Sequence, residues 1–480
     1  MTVSASLPSS LPPSVEPEAM PSPGPWRGVL MAVVGGLALL PALLAVAQLG
    51  RIHPDEVYQL LEPAWFRAHG YGVMAWEWRV GLRNWAAPGV ASWLLRLADA
   101  LGLTHPLAYR AVLAVPQVLL QGWMLWATYR FAERRVGPGP ALLAVLGVGL
   151  YGPVLVFAGR TLGESLSAAF LVVAMEALDR QEAPVRAGLL GGCTLGLAVV
   201  VRYGSAVMVL VALAWLVGAR RWKVLLFTCL AGLGVALALG ALDWVTWGKP
   251  FHSLLAYVDF NVLSGQAARQ FGASPPSFYA LPLLTALPPW FWGALPLGWL
   301  SWRRRPAVSL PGLCAAVYFT ALCATAHKEE RFLYPGLVLL VLAAAPQVAG
   351  FVGRLGAERG RKLGSLLLVA TTLLAGVLYP REDLKGDQFR AIVAATRGDD
   401  VRGLLIVNEG LWGSGGFFYI GKNIPWMTCD RPRDANFQAA MRDGRINRAV
   451  TFEGRALEEL QAAGFRVVTQ VGRETVLARK

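Results

Sequence analysis

The sequence predicts a polytopic all-α membrane domain of about 11 transmembrane helices, followed by a small α/β soluble domain on the non-cytoplasmic side. The 480-residue chain is 55% hydrophobic and 15% charged, with a mean hydropathy of +0.48, which is too apolar for an ordinary soluble protein. Apolar runs of about 20 residues, long enough to cross a bilayer, recur between Val29 and Val377. From Arg381 to Lys480 the composition is that of a soluble domain.

Residues 1–27 are rich in proline and serine and lack the basic start and small-residue cleavage site of a signal peptide. We therefore expect a disordered cytoplasmic N-terminus, a membrane domain over residues 28–380 with an outer loop over residues 50–106, and a third domain over residues 381–480. The net charge of +14 lies in short clusters between the apolar runs. We interpret it as membrane topology and expect no nucleic-acid partner.

The predicted spans alternate with basic and less basic connections. In chain order the spans are Val29–Leu49, Leu107–Tyr129, Ala141–Phe157, Leu162–Leu178, Ala187–Val201, Ser205–Val217, Val224–Leu242, Phe278–Leu300, Val308–Thr325, Phe332–Phe351 and Leu363–Leu378. The short basic connections, which indicate cytoplasmic loops, contain Arg130, Arg134, Arg135, Arg180, Arg186, Arg220, Arg221, Lys223, Arg303, Arg304, Arg305, Arg354, Arg359, Arg361 and Lys362. The other connections and the C-terminal domain then share the non-cytoplasmic face.

The segment His53-Pro54-Asp55-Glu56 directly follows the first apolar run. Proline at a first helical position, acids in the first turn and apolar residues at helical spacing predict an amphipathic helix lying on the membrane. In one interpretation the carboxylates only complement the helix dipole. In the other, Asp55 is a general base for an acceptor hydroxyl, while a lipid-linked donor approaches from the bilayer.

A second charged segment, His327-Lys328-Glu329-Glu330-Arg331, lies between two later apolar runs. A charged run is usually a solvated loop. Here almost nothing else separates the two predicted spans, so the charges lie at the membrane boundary, where ionisable groups are costly and are candidates for function. Lys328 and Arg331 carry groups that bind phosphate, and His327 could add a third donor.

Three further candidates, Arg160, Glu164 and Arg202, lie at span ends on the same predicted face. Interfacial snorkelling is the ordinary explanation for such residues, and substrate binding is the alternative. The outer loops have no Asp-x-Asp pair, and the chain has no phosphate-binding glycine loop and no His-Glu-x-x-His motif. We therefore expect neither a cofactor nor a metal site.

These residues together resemble the mannosyltransferases that use dolichyl-phosphate mannose in asparagine-linked glycan and GPI-anchor assembly, glycosyltransferase family 22. The matching segments, in the expected order, are His53-Pro54-Asp55-Glu56 with Gln59 and Glu62, Trp76-Glu77-Trp78 with Arg83, and His327-Lys328-Glu329-Glu330-Arg331-Phe332 with Pro335. The chain departs from the family pattern before Glu164 and at Tyr203. These departures leave the acceptor open rather than the reaction type.

The resemblance implies a GT-C fold, a sugar donor on a polyprenyl or dolichyl phosphate, and a glycan or glycolipid acceptor. It implies that Asp55 is the catalytic base with Glu56 beside it, and that Lys328 and Arg331, together with His327, bind the donor phosphate. The other candidates for substrate binding are His53, Arg160, Glu164, Arg202, Glu329 and Glu330. Compact loops and an Ala, Arg and Gly bias favour a bacterial plasma-membrane relative, whereas a eukaryotic one would lie in the ER membrane.

In the C-terminal domain, helix and strand signals alternate from Asp387 onwards, which predicts a small α/β unit with a largely parallel sheet. The predicted helices are 388–395, one near 417, 437–441 and 455–463, and the predicted strands are 403–407, 425–428, 446–451, 465–470 and 475–478. This unit could cap the active site or bind the acceptor.

The function predicted from these residues is an inverting, metal-independent mannosyl transfer with Asp55 as general base. One alternative is a lipid-linked sugar transporter or flippase, which would carry charges near the midplane and show repeated halves. The candidate charges instead gather at one predicted face, and the sequence shows no internal repeat. The other alternative is a GT-C transferase with a non-mannose donor, which donor competition would distinguish.

Overall fold

The computed structural model describes residues 26–304, 309–380 and 385–480. The predicted disordered N-terminus, apart from Trp26 and Arg27, and the basic residue Arg305 lie outside the described residues. Trp26 and Arg27 belong to the first helix.

The membrane part of the chain is helical throughout. Its α-helices are α1 Trp26–Gln48, α2 Glu62–His69, α3 Trp76–Arg79, α4 Ala86–Ala100, α5 Pro106–Val136, α6 Pro138–Gly149, α7 Gly152–Phe157, α8 Gly163–Asp179, α9 Pro184–Val201, α10 Ala206–Gly218, α11 Trp222–Trp247, α12 His252–Val258, α13 Gln266–Phe271, α14 Ala280–Ala286, α15 Pro289–Arg304, α16 Leu310–Ala324, α17 Tyr334–Gly353 and α18 Glu358–Leu378. Short π-helices cover Glu56–Leu61 and Asp259–Leu263, and 3₁₀ turns cover Tyr203–Ser205, Pro276–Tyr279 and Glu330–Leu333.

Among the described residues, six helices are long and apolar enough to cross a membrane, and a bent pair would make seven. The pair is Pro276–Ala286 with Pro289–Leu300, whose axes meet at 102°. The sequence predicted one continuous span there, but Pro288 and Pro289 remove backbone donors and break the helix. Three shorter apolar helices accompany these spans. The multi-span helical architecture is confirmed, whereas the number of eleven spans stays a prediction.

The core of the bundle is built around α8 and α17, whose side chains are mostly buried. Small residues bring neighbouring helices close together, as between α9 and α11. A Cβ atom at Gly192 would lie 2.2 Å from the Thr228 carbonyl oxygen, and one at Gly188 would lie 2.6 Å from the Val224 carbonyl oxygen. Glycine is therefore required at both positions.

The C-terminal residues form a five-stranded sheet with four helices. The strands are β1 Leu404–Val407, β2 Trp426–Cys429, β3 Arg448–Thr451, β4 Arg466–Val471 and β5 Glu474–Ala478, and the helices are α19 Gly386–Thr396, α20 Gly416–Ile420, α21 Ala435–Arg442 and α22 Gly454–Ala462. Their order along the chain agrees with the sequence prediction.

The sheet has the strand order β2-β1-β3-β5-β4, with β1 parallel to β2 and β3, and β5 antiparallel to β3 and β4. The prediction of a largely parallel sheet was therefore wrong for its second half. Only Gly472 and Arg473 lie between β4 and β5, and a connection this short can join only antiparallel neighbours. Gly472 supplies the positive φ of 57° that the turn needs.

The apolar face of the segment after α1, which the sequence predicted to lie against the membrane, packs against protein. Val57, Leu61 and Trp65 are buried in one core with Phe389 and Phe418 of the C-terminal domain. The helix is also not regular, because Pro63 has no backbone N–H to donate and a π-helix precedes it. The sequence pattern correctly marked an apolar face, but that face packs against protein.

Glu62 is buried in this shared core, and its burial raises its pKa to about 7 from the usual 4.5. Between these two pKa values the native state binds a proton that the unfolded chain releases, so the stabilising contribution of Glu62 is complete below pH 4.5 and is lost as the pH rises through 7. The shift corresponds to about 3 kcal/mol. Melting temperatures measured from pH 4.5 to 8 should show this slope in the wild type and a flatter profile in Glu62→Gln. Parallel profiles would contradict the prediction.

Candidate active site

The two charged segments predicted from the sequence meet in the folded chain. Asp55 lies just before the π-helix Glu56–Leu61, and Arg331 lies in the 3₁₀ turn before α17. Their side chains form an ion pair, with Arg331 Nη2 2.6 Å from Asp55 Oδ2, although 276 residues separate them. The carboxylate proposed as a base and the guanidinium proposed as a phosphate ligand are therefore in direct contact.

Arg331 also holds two further carboxylates. Its Nε donates to Glu329 Oε2 at 2.7 Å, and its Nη1 lies 3.3 Å from Glu164 Oε1. Arg202 shares Glu164, with 2.5 Å between Arg202 Nη1 and Glu164 Oε1. Both guanidinium groups lie over the ring of Phe332. The planar guanidinium group of Arg331 thus contacts carboxylates from three separate parts of the chain.

Two histidines complete this cluster. His53 lies between carboxylates, with Nδ1 3.3 Å from Asp55 Oδ1 and Nε2 3.2 Å from Glu329 Oε2. His327 Nε2 lies 3.0 Å from Glu329 Oε1. We call the set Asp55, His53, Glu164, Arg202, His327, Glu329 and Arg331 the charged cluster.

Electrostatic interactions within the charged cluster set the protonation states of Asp55 and His53. Burial by itself would raise the pKa of Asp55, but Arg331 and His53 outweigh it and hold that pKa well below its usual range. Burial would lower the pKa of His53, but its hydrogen bonds to Asp55 and Glu329 raise it to about 9. Near neutral pH, Asp55 is therefore ionised and His53 carries a proton.

Glu56, predicted beside Asp55 as a catalytic residue, faces a different environment. Its side chain is fully buried, accepts a hydrogen bond from the Ile52 backbone N–H at 2.6 Å, and lies 3.9 Å from both Arg110 and Arg160. Arg160 in turn donates to the Gly50 carbonyl oxygen at 2.7 Å. The structure does not bring Glu56 or Arg160 into the charged cluster, because both hold the backbone that leads to Asp55.

Lys328 is likewise directed away from the charged cluster. Its ammonium donates to the carbonyl oxygens of Ser274 (3.0 Å) and Thr325, and the residue is 6% exposed. It therefore ties the loop before α14 to the loop before α17. Glu330 is exposed at the start of the 3₁₀ turn and does not belong to the cluster.

One neighbouring ion pair was not among the predicted site residues. Arg83 makes a two-pronged contact with Glu77, at 2.8 and 3.0 Å, and Gln59 lies 3.5 Å from the same carboxylate. The positive charge of Arg83 also contributes to lowering the pKa of Asp55. The segment Trp76-Glu77-Trp78 was the available signal, but its sequence carries no indication of proximity to Asp55.

Metal binding has no support in the part of the chain that the structure describes. There, no group of three or more His, Cys, Asp or Glu side chains could hold a metal ion. Metal independence remains a prediction that chelation can test.

A multi-span helical bundle with a C-terminal mixed sheet is a known architecture. The chain is similar to the crystal structure of ArnT from Cupriavidus metallidurans bound to undecaprenyl phosphate, with a TM-score of 0.62 and 14% identity over 95% of this chain and 98% of that one. The fold is therefore that of a GT-C-type integral membrane protein.

The family follows from the sequence itself. The model of the Alg9-like mannosyltransferase family matches residues 37–380, and the chain belongs to that family. GPI mannosyltransferase 3 of Yarrowia lipolytica is 30% identical to it over 68% of this chain, and GPI mannosyltransferase 3 of Eremothecium gossypii is 28% identical over 58%. This chain spans 63% and 60% of the length of those two relatives.

Proposed function

We propose that this protein is an inverting mannosyltransferase that moves mannose from a polyprenyl or dolichyl phosphate to a hydroxyl of a glycan or glycolipid. The observation that carries the proposal is the direct contact between Asp55 and Arg331 at 2.6 Å. Membership of the Alg9-like family and similarity to two GPI mannosyltransferases support mannose as the sugar.

In the proposed reaction, Asp55 accepts the proton of the acceptor hydroxyl as its oxygen attacks the anomeric carbon. The bond between that carbon and the phosphate oxygen breaks on the opposite side, and the lipid phosphate leaves with the electron pair. Arg331 stabilises the negative charge that develops on the phosphate. A single displacement of this kind inverts the anomeric centre.

We propose that Asp55 becomes a better base when the donor binds, because the donor competes for Arg331. Arg331 holds Asp55 in its ionised form and lowers its affinity for a proton. A donor phosphate that accepts hydrogen bonds from Arg331 competes with Asp55 for the guanidinium group and so weakens the attraction between Arg331 and Asp55. The base is thereby released when a phosphate is present, and His53 and His327 supply further donors at the same place.

The remaining candidates divide into two groups by their contacts. Glu164 and Glu329 contact Arg331, Arg202 contacts Glu164, and we propose that all three also contact substrate. Glu56, Arg160 and Lys328 hydrogen-bond to backbone groups. We therefore propose that they position the chain segments that carry Asp55 and Arg331. For Glu330, the one observation that supports substrate contact is its exposed location.

The membrane arrangement is part of the same proposal. We propose eleven spans, with the charged cluster and the C-terminal α/β domain on the non-cytoplasmic face, in a bacterial plasma membrane or, for a eukaryotic protein, the ER membrane. Basic residues in alternate connections support this orientation.

The test is a transfer assay with purified full-length protein, synthetic polyprenyl-phosphate mannose and a panel of glycan and glycolipid acceptors. We expect a mannosylated product of inverted anomeric configuration, whose yield is unchanged by a chelator. Carriers with glucose or arabinose are the competing donors, and faster transfer from either would replace mannose in the proposal. Translocation of intact donor across a vesicle membrane without a glycosidic product would indicate a transporter.

A further inference from the structure

The C-terminal domain makes polar contacts with the chain on both sides of Asp55. Before Asp55, Arg390 donates to the Gln48 carbonyl oxygen at 2.9 Å, and the Tyr419 hydroxyl donates to the Leu49 carbonyl oxygen at 3.0 Å. We call residues 48–62 the Asp55 segment. Its first two residues are thus fixed by side chains of α19 and α20.

Other contacts reach closer to Asp55 and pass beyond it. Arg51 donates to the Trp412 carbonyl oxygen, and the Tyr58 hydroxyl lies 3.1 Å from Ser414 Oγ. The loop between β1 and α20 therefore contacts the Asp55 segment at Arg51 and at Tyr58.

The last residue of the Asp55 segment, Glu62, contacts both the C-terminal domain and the chain near Val73. One carboxyl oxygen accepts a hydrogen bond from the backbone N–H of Phe418 in α20, and the other accepts one from the backbone N–H of Val73, both at 2.6 Å. The side chain is 0% exposed. A single buried carboxyl group thus joins the C-terminal domain to the outer loop, and the buried Phe418 N–H has no water as a replacement partner.

We propose that the C-terminal domain is a positioning element for the catalytic base, with Glu62 as the positioning residue that connects them. This inference rests on the proposed role of Asp55 in transfer. Asp55 is held from the other side by Arg331, so the base sits between a contact to the membrane bundle and a segment fixed by the C-terminal domain. A displacement of about 1 Å at a reacting group can lower a rate by roughly 100-fold, so loosening this attachment lowers turnover without removing a catalytic group.

The glycines that flank α20 provide a matched pair of variants. Gly416 and Gly421 have nearly the same positive φ, 69° and 70°, so alanine imposes similar backbone strain at each. A Cβ atom at Gly416 would lie 2.4 Å from the carboxyl carbon of Glu62, whereas one at Gly421 would meet nothing within 4 Å. Gly416→Ala therefore displaces Glu62, and Gly421→Ala is its control.

Two measurements on full-length protein test the inference. In hydrogen–deuterium exchange, we expect faster exchange of the Asp55 segment in Gly416→Ala than in Gly421→Ala. In the transfer assay, we expect kcat to fall about 10-fold or more in Gly416→Ala, with donor KM little changed and the control near the wild type. Glu62→Gln, which keeps one acceptor oxygen, should lower kcat in the same direction.

Equal exchange and equal kcat in the two glycine variants would overturn the positioning role while leaving the proposed function intact. An inactive wild type would instead refute the proposed function. The exchange measurement separates the two cases because it requires no activity. Should Gly416→Ala fail to fold, exchange and kcat of Glu62→Gln decide the question, and wild-type values for both would reject the inference.

Discussion

Asp55→Asn is expected to lower kcat for mannosyl transfer by about 10²- to 10⁴-fold, the contribution typical of a general base. Asparagine has nearly the same shape as aspartate but cannot accept the proton of the acceptor hydroxyl. Because the substitution also removes one of the three carboxylates that contact Arg331, donor affinity should be unchanged or tighter. The measurement is steady-state transfer together with donor binding to the same protein.

The control for this variant is Glu358→Gln, which makes the same carboxylate-to-amide change at an exposed residue of α18 whose ion-pair partner among the described residues is Lys362. We expect wild-type activity there. Full transfer activity of correctly folded Asp55→Asn would show that another group accepts the proton. A large loss of donor affinity would instead place Asp55 in donor binding.

Arg331→Met is expected to weaken both donor binding and the fold. The side chain is 11% exposed and neutralises Asp55, Glu164 and Glu329, so its removal leaves one buried and two partly buried carboxylates without their common partner. Breaking a buried pair in this way typically costs about 3–5 kcal/mol, which should appear as a lower melting temperature. The donor KM should rise because the proposed phosphate ligand is lost.

A double substitution separates these two effects. Arg331→Met with Asp55→Asn removes one uncompensated carboxylate, so it should be more stable than Arg331→Met alone, although it remains inactive. Arg331→Lys keeps the charge but not the fork, and should recover stability better than transfer. If the double variant melts no higher than the single one, Asp55 and Arg331 are not coupled as the structure indicates.

Local sequence was enough to predict the type of most elements. Apolar length predicted the membrane helices, and alternation predicted the strands and helices of the C-terminal domain in their order. Proline marked where elements break, but its consequence was missed at Pro288 and Pro289, where a predicted span bends by 102°. These features were predictable because they depend on a few neighbouring residues.

The candidate site was predictable only in part. Two charged segments at one predicted face indicated where chemistry could occur, and the structure joins them through Asp55 and Arg331. The sequence named Asp55 as the base, but it did not show that Glu56 lies near Arg110 and Arg160, or that Arg331 and not Lys328 pairs with Asp55. Side chains of neighbouring residues on an irregular segment point in different directions. Which of these side chains contacts the other charged segment depends on how the whole bundle packs.

By itself the sequence determined that this is a multi-span membrane protein of a sugar-transferring family, with two charged segments as candidates for function. The tertiary structure alone showed that Glu56 and Lys328 hydrogen-bond to backbone groups while Arg331 contacts three carboxylates. It also showed that residues 386–480 share a core with the Asp55 segment. The physical reason is that hydropathy can be assessed within a single helix, whereas the partner of a buried charge can come from a distant part of the chain. A buried charge requires a partner of opposite charge or a hydrogen-bonding group, but no local sequence pattern indicates where along the chain that partner lies.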